Sequence, residues 1–318
     1  MTGSLLDAVC GTDDGERWLR ELAATNQLVI GLDHAGATYR YHHLLRDLLL
    51  LEAERDIPER LPELHLAAAR WYQDRGDAYR SIDHLIHGGD LVTAGGLIAI
   101  HATELINEGQ VTTVRDLLGR LGDLPERHAP TAATEGWINL STGRFAAARR
   151  SYDAAVRHSD GTGANLIAAL GIMVNLAEGD LAAASTIAAT MTEPTESTQA
   201  IGLSAVHTWA GRLDEATRFI AIAREFGATE PSDYSASVAP GFAAVVALES
   251  GDPSEAARHA NDGLAIADGR GIPGVPQLSI SHAVLAHTTS DSALRANASV
   301  RAVELARLAP EPFASAYA

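Results

Sequence analysis

From about residue 61 onward, apolar side chains recur every three or four positions, in helix-length blocks separated by short polar turns. That spacing lines one face of a helix and predicts a succession of amphipathic helices. Six glycines punctuate it, Gly76, Gly109, Gly143, Gly179, Gly211 and Gly251, at separations of 33, 34, 36, 32 and 40 residues. A glycine leaves a helix cheaply in the left-handed conformation, so each should end one helix of a pair and lead into the next. Asp77, Asp180 and Asp252 follow three of them as N-caps, and Pro253 and Glu255 complete a helix start after the last. Five residues past each glycine stand Ser81, Val114, Ala148, Ala184, Ala216 and Ala256, all but Val114 small enough for two helices to approach closely. Nine past stand the expected core residues Leu85, Leu118, Tyr152, Ala188, Ile220 and Ala260. A seventh, degenerate pair is predicted over residues 278–308, with its turn near Asp291, and residues 310–318 should fray.

The first 58 residues follow another pattern. Residues 17–24 read as a short helix with Trp18, Leu19 and Leu22 on one face. Residues 27–32 and 38–42 are extended and flank a turn containing Asp33 and Gly36, which is a β-hairpin signature. Residues 43–54 form a leucine-rich helix (Leu44, Leu45, Leu48, Leu49, Leu51), and Pro58 and Pro62 bracket the break after it. Helix, hairpin and helix in this order make the second half of a winged-helix unit.

Composition narrows the chemistry. All 24 basic residues are arginines, so no Walker A loop and no Schiff-base lysine exists in this chain. A net charge of −17 opposes nucleic-acid binding, and Arg46 and Arg55 are outnumbered by Asp47, Glu52, Glu54 and Asp56 on the leucine-rich helix. One cysteine, Cys10, excludes an internal disulfide and zinc sites that need two thiolates. The histidines His42, His43, His65, His84 and His87 are the densest groups, yet no HExxH and no Gly-x-Ser-x-Gly elbow occurs. No metal, no cofactor and no enzymatic activity is expected. No apolar run reaches the ~20 residues that span a bilayer, and no secretory signal is present, which points to the cytoplasm and away from membranes.

The segment Tyr39-Arg40-Tyr41-His42-His43-Leu44-Leu45-Arg46-Asp47-Leu48-Leu49 resembles the end of the winged helix in MalT-like regulators. These are large ATP-binding (STAND-class) transcription activators that end in a LuxR-type helix-turn-helix. The run Leu64-His65…Ala69-Arg70-Trp71-Tyr72, with Ala78…Ser81-Ile82-Asp83-His84 after it, is similar to the opening of their repeat domain. The resemblance covers about residues 4–125 and continues as generic repeats, whose glycine period lies close to the 34 residues of a tetratricopeptide repeat. It implies an ATPase core upstream of Met1 and a DNA-binding domain downstream of Ala318. Either the chain is a fragment of a larger regulator or it is a truncated relative that kept the sensor arm. The resemblance also places His42 where related ATPases contact the nucleotide phosphate. On the residues alone, a local hydrogen bond that pins the hairpin to the helix is the competing role.

One register is unusual. Four residues before each turn glycine a repeat normally packs an apolar or aromatic side chain, as Tyr72, Leu105 and Ala247 do, but Asn139, Asn175 and His207 stand there in succession. Trp137 and Trp209 lie two residues from Asn139 and His207. Buried amides need partners, so these residues either satisfy one another across helices or face a ligand.

The sequence therefore predicts an all-α chain. A winged-helix remnant with one β-hairpin (1–58) precedes a tetratricopeptide-like superhelix of antiparallel helix pairs (59–309) and a tail (310–318). Its expected function is the ligand- or partner-sensing arm of a LuxR-family, MalT-like regulator. The expected partners are a small inducer, or a peptide or protein in the groove, together with the parent's ATPase module. The alternative is a free-standing adaptor for a peptide or protein helix.

Overall fold

The computed structural model describes residues 1–25, 29–32, 38–107, 110–191, 193–229 and 233–308. Among them are 17 α-helices and one two-stranded sheet. The chain divides into two compact units, Met1–Ile98 and Ala99–Ala318, and the division falls inside the helix Leu91–Asn107.

In the first unit, α1 (Gly3–Cys10) precedes the elements read from the sequence and was not foreseen there. Thr2 caps it by accepting the Leu5 N–H, and Gly11 ends it at φ 67°. Eight residues make a marginal helix alone, so α1 depends on docking against α2 (Gly15–Thr25). A Cβ at Gly15 would stand 2.4 Å from the Gly3 carbonyl oxygen, so only paired glycines permit this approach. The hairpin expected over residues 27–42 is present as β1 (Val29–Gly31) and β2 (Tyr39–Tyr41), antiparallel with Ile30 opposite Arg40. Its expected turn lies outside the described residues. Leu19, Val29 and Tyr39 form a small core, closed by Met1, Leu6, Ala23, Tyr41 and Leu45. Then come α3 (His43–Asp56) and the first helix pair, α4 (Leu61–Gln73) with α5 (Ala78–His87).

After α6 (Leu91–Asn107) and α7 (Val111–Gly119), the second unit is a succession of helix pairs. They are α8 (Ala129–Ser141) with α9 (Phe145–Arg157), α10 (Ala164–Ala177) with α11 (Leu181–Ala188), and α12 (Ser197–Trp209) with α13 (Leu213–Thr229). Two more follow, α14 (Asp233–Glu249) with α15 (Pro253–Gly269) and α16 (Ser279–Thr288) with α17 (Ser292–Leu308). The glycine register holds at each described turn: Gly76, Gly143, Gly179, Gly211 and Gly251 have φ between 71° and 81°. Gly109 lies outside the described residues. One hydrogen bond recurs after these glycines, from the N–H of the next residue to the carbonyl five residues back. It closes Asp77 on Tyr72, Arg144 on Asn139, Asp180 on Asn175, Arg212 on His207 and Asp252 on Ala247, at 2.8–3.0 Å. Asp77, Asp180 and Asp252 cap the following helices through their carboxylates, as read. The pair without a glycine turns at Asp291, whose carboxylate accepts the Ala293 and Leu294 N–H groups.

The packing positions follow the same register. Ser81, Val114, Ala148, Ala184, Ala216 and Ala256 are all fully buried. Leu85, Leu118, Ala188, Ile220 and Ala260 are buried too, while Tyr152 is half-buried against the core. Small side chains set the helix spacing: a Cβ at Gly136 would lie 2.4 Å from Leu170 Cδ2, and one at Gly171 2.6 Å from the Tyr152 ring.

Candidate functional site

The polar register lies in the second unit on α8, α10 and α12, at the position whose carbonyl closes each turn. Asn139 is buried, and its Nδ2 donates to Ser151 Oγ of α9 at 3.4 Å. Ser151 Oγ in turn donates to Glu135 Oε2 at 3.1 Å. Asn175, also buried, donates from Nδ2 to the Gly171 carbonyl at 2.6 Å and accepts from Arg149 Nη2 at 2.8 Å. Arg149 also pairs with Glu178, whose carboxylate raises the guanidinium's pKa. Helix α9 thus supplies partners to two of the three register residues, Ser151 to its own pair and Arg149 to the next.

His207 is half-buried, with its Nδ1 accepting from Arg212 Nε at 3.0 Å and its ring 5.3 Å from that of Phe219. Burial, then the Arg212 charge, lowers its pKa and favours the neutral ring that this hydrogen bond requires. Trp137 packs against the core with its Nε1 buried and meeting no acceptor among the described residues, whereas Trp209 is 43% exposed. Arg149, Ser151 and Glu178 did not figure in the sequence reading. The one available signal for Arg149 was a cation directly after Ala148, the small residue where α8 and α9 meet.

A different surface lies beside this register, also in the second unit. Tyr152 and Val156 of α9, Ile167 and Ala168 of α10, and Ile187 and Thr190 line an open, mainly apolar groove of about 300 Å³. None of the five predicted ligand-binding residues lines it.

In the first unit, His42 is the N-cap of α3, and its Nδ1 accepts the Leu44 N–H at 3.4 Å. Its ring lies 4.2 Å from that of His43. The helix that it caps is unusual. No residue of α3 is buried, and Leu44, Leu48, Leu49, Leu50 and Leu51 are between 41% and 65% exposed. Trp18, Leu22, Ile30 and Leu32 are exposed on α2 and the hairpin edge as well. The N-terminal segment therefore presents a helix, then a short hairpin, then a leucine-rich, uncovered helix.

Residues 1–61 match the MalT winged helix domain. The match makes this N-terminal segment similar to the winged helix of MalT-like transcription regulators, and it spans α1 to the start of α4, so it includes the unforeseen α1. Among the described residues, no group of three or more His, Cys, Asp or Glu is arranged to hold a metal. No described helix is long and apolar enough to cross a membrane.

Proposed function

We propose that this chain is the ligand- or partner-sensing arm of a MalT-like transcription regulator, a binding device and not a catalyst. The observation that carries the reading is the uncovered leucine surface of α3 within a segment matched to the MalT winged helix. Contiguous exposed apolar side chains mark a surface that another protein covers. The partner suited to it is the ATPase module of such a regulator, with His42 at the N-terminus of α3 near its nucleotide. In this reading the helix pairs are tetratricopeptide-like, and the register of Trp137, Asn139, Asn175, His207 and Trp209 meets a small polar inducer. Indole faces suit a sugar or aromatic ring, and amide and imidazole groups give directional hydrogen bonds. Occupancy would then shift the population between arrangements of arm and ATPase module. The apolar groove at Tyr152 and Ile187 favours a second reading, an adaptor that takes a peptide or protein helix.

A binding titration with the purified ATPase module of a MalT-like regulator separates the two. The sensing-arm reading expects association that is lost in the triple variant Leu44→Ala, Leu48→Ala, Leu51→Ala, with circular dichroism unchanged. Equal affinity of the triple variant, or no association at all, would sink it. Steady ATP hydrolysis by the isolated chain would sink the claim that it is no catalyst.

A further inference from the structure

Helices α4 and α5 are joined by a stack of rings. His65 of α4 and His84 of α5 face each other with their Nδ1 atoms 2.9 Å apart. The His87 ring stacks on His65 at 5.1 Å, and the Tyr72 ring stacks on the far side of the pair, on His84, at 5.5 Å. Trp71 meets Tyr72 edge-on at 5.0 Å. The two helices are close here: a Cβ at Gly88 would lie 2.8 Å from the Leu66 side chain. We propose that the His65–His84 pair is a proton-sensitive latch that holds α4 against α5 at neutral pH and releases it on acidification.

The argument is one of lone pairs. An Nδ1–Nδ1 hydrogen bond needs one nitrogen with a proton and one without, so the two rings must be opposite tautomers. A first added proton can settle on the outer nitrogen of the donor ring and leave the bond intact. A second must occupy the accepting Nδ1, and two N–H groups then point at each other across 2.9 Å with like charges. The pair titrates as a unit in two steps, and the second step breaks the bond.

The surroundings set the direction. Burial, then the charges of His84 and His87, lowers the pKa of His65. Burial is also the largest cause at His84, where His87 and Arg80 lower the pKa further and Asp83 opposes them. Arg80 sits over the Tyr72 ring, and His87 Nδ1 pairs with the Asp83 carbonyl at 2.8 Å. From α1, which also packs on α4, the titratable side chains are Asp7 and Cys10. The Asp7 carboxylate is taken by Thr12 and the Gly15 N–H, and Cys10 is exposed. Because the folded pKa values lie below those of unfolded histidine, the unfolded chain takes up protons first as the pH falls. The contribution of the pair is therefore full above the ordinary histidine pKa of about 6.5 and is lost as the pH drops through and below it. Since α4 packs on both α5 and α1, release would loosen the first helix pair where it meets the winged helix.

Hydrogen exchange followed by mass spectrometry on the full chain tests this. After correction for intrinsic rates, protection of the α4–α5 amides is compared with that of α14–α15 between pH 7.5 and 5.5. The latch expects the ratio to fall by at least about tenfold across that range, as for local opening linked to proton uptake. His65→Phe and His84→Phe keep a ring in the stack and should flatten the profile. A flat wild-type profile, or Phe variants that keep the wild-type slope, would overturn the proposal. Should a variant fail to fold, an NMR titration of the wild-type histidine rings decides. Both rings must protonate below free histidine and in two coupled steps, and two independent titrations at the free value would refute the latch.

Discussion

Helices α3 and α10 are each 14 residues long and rich in aliphatic side chains, yet they have opposite fates. Helix α10 buries eight residues, from Ile167 to Asn175, among α8, α9, α11 and α12. Helix α3 buries none, and five of its leucines face outward. They differ in composition as well as in neighbours, since α3 carries Arg46, Asp47, Glu52, Glu54, Arg55 and Asp56 and α10 carries no charged side chain. Helix α10 has a small-residue surface, with Gly171 letting the Tyr152 ring approach, whereas α3 sets its leucines among charged residues and only Leu45 reaches the small core of its unit.

The largest effect that can break this comparison is Leu170→Ala in α10. Leu170 is fully buried, and its truncation should cost about 2–5 kcal/mol of stability, measured by chemical denaturation. A loss below about 1 kcal/mol would mean that the second unit is not packed as described.

Next comes Asn175. Replacement by Leu removes both its hydrogen bonds and should cost about 1–3 kcal/mol. Asn175→Asp keeps an acceptor for Arg149 but turns a carboxylate oxygen toward the Gly171 carbonyl, which the amide now reaches at 2.6 Å. Protonation of that carboxyl restores a donor, so the deficit of the Asp variant relative to wild type should shrink as the pH falls, while that of the Leu variant should not. If both variants keep full stability and lose only an inducer, Asn175 is a ligand contact and not part of the packing.

The turn register gives a smaller effect. Gly179 has φ 79° and open space around the position of a Cβ, so Gly179→Ala meets no clash and should cost only the left-handed backbone penalty. That penalty is about 1–2 kcal/mol and should show in the same denaturation curves. An unchanged midpoint would remove the glycine from the folding argument.

The smallest effect sharpens the comparison from the other side. Leu44→Ala and Leu51→Ala in α3 should each change stability by less than about 0.5 kcal/mol, because neither side chain leaves an apolar contact surface. A concentration-dependent loss well above that would show that a second copy of the chain covers the helix.

The sequence by itself determined the features that are written within a few residues. The helix-pair register came from glycines at a left-handed position, and the helix starts from the Asp77, Asp180 and Asp252 caps. The hairpin was legible because branched residues alternate on both sides of a turn. Each of these signals acts through the local backbone, so it survives without knowledge of the fold. Tertiary structure decided the rest. It formed α1, too short to hold alone, by setting Gly3 against Gly15. It brought Arg149 to Asn175, 26 residues away, and His65 to His84, 19 residues away. It also left the leucines of α3 uncovered. Periodicity shows that a helix has an apolar face, but what meets that face depends on how the helices pack, and that is set by contacts between residues distant along the chain.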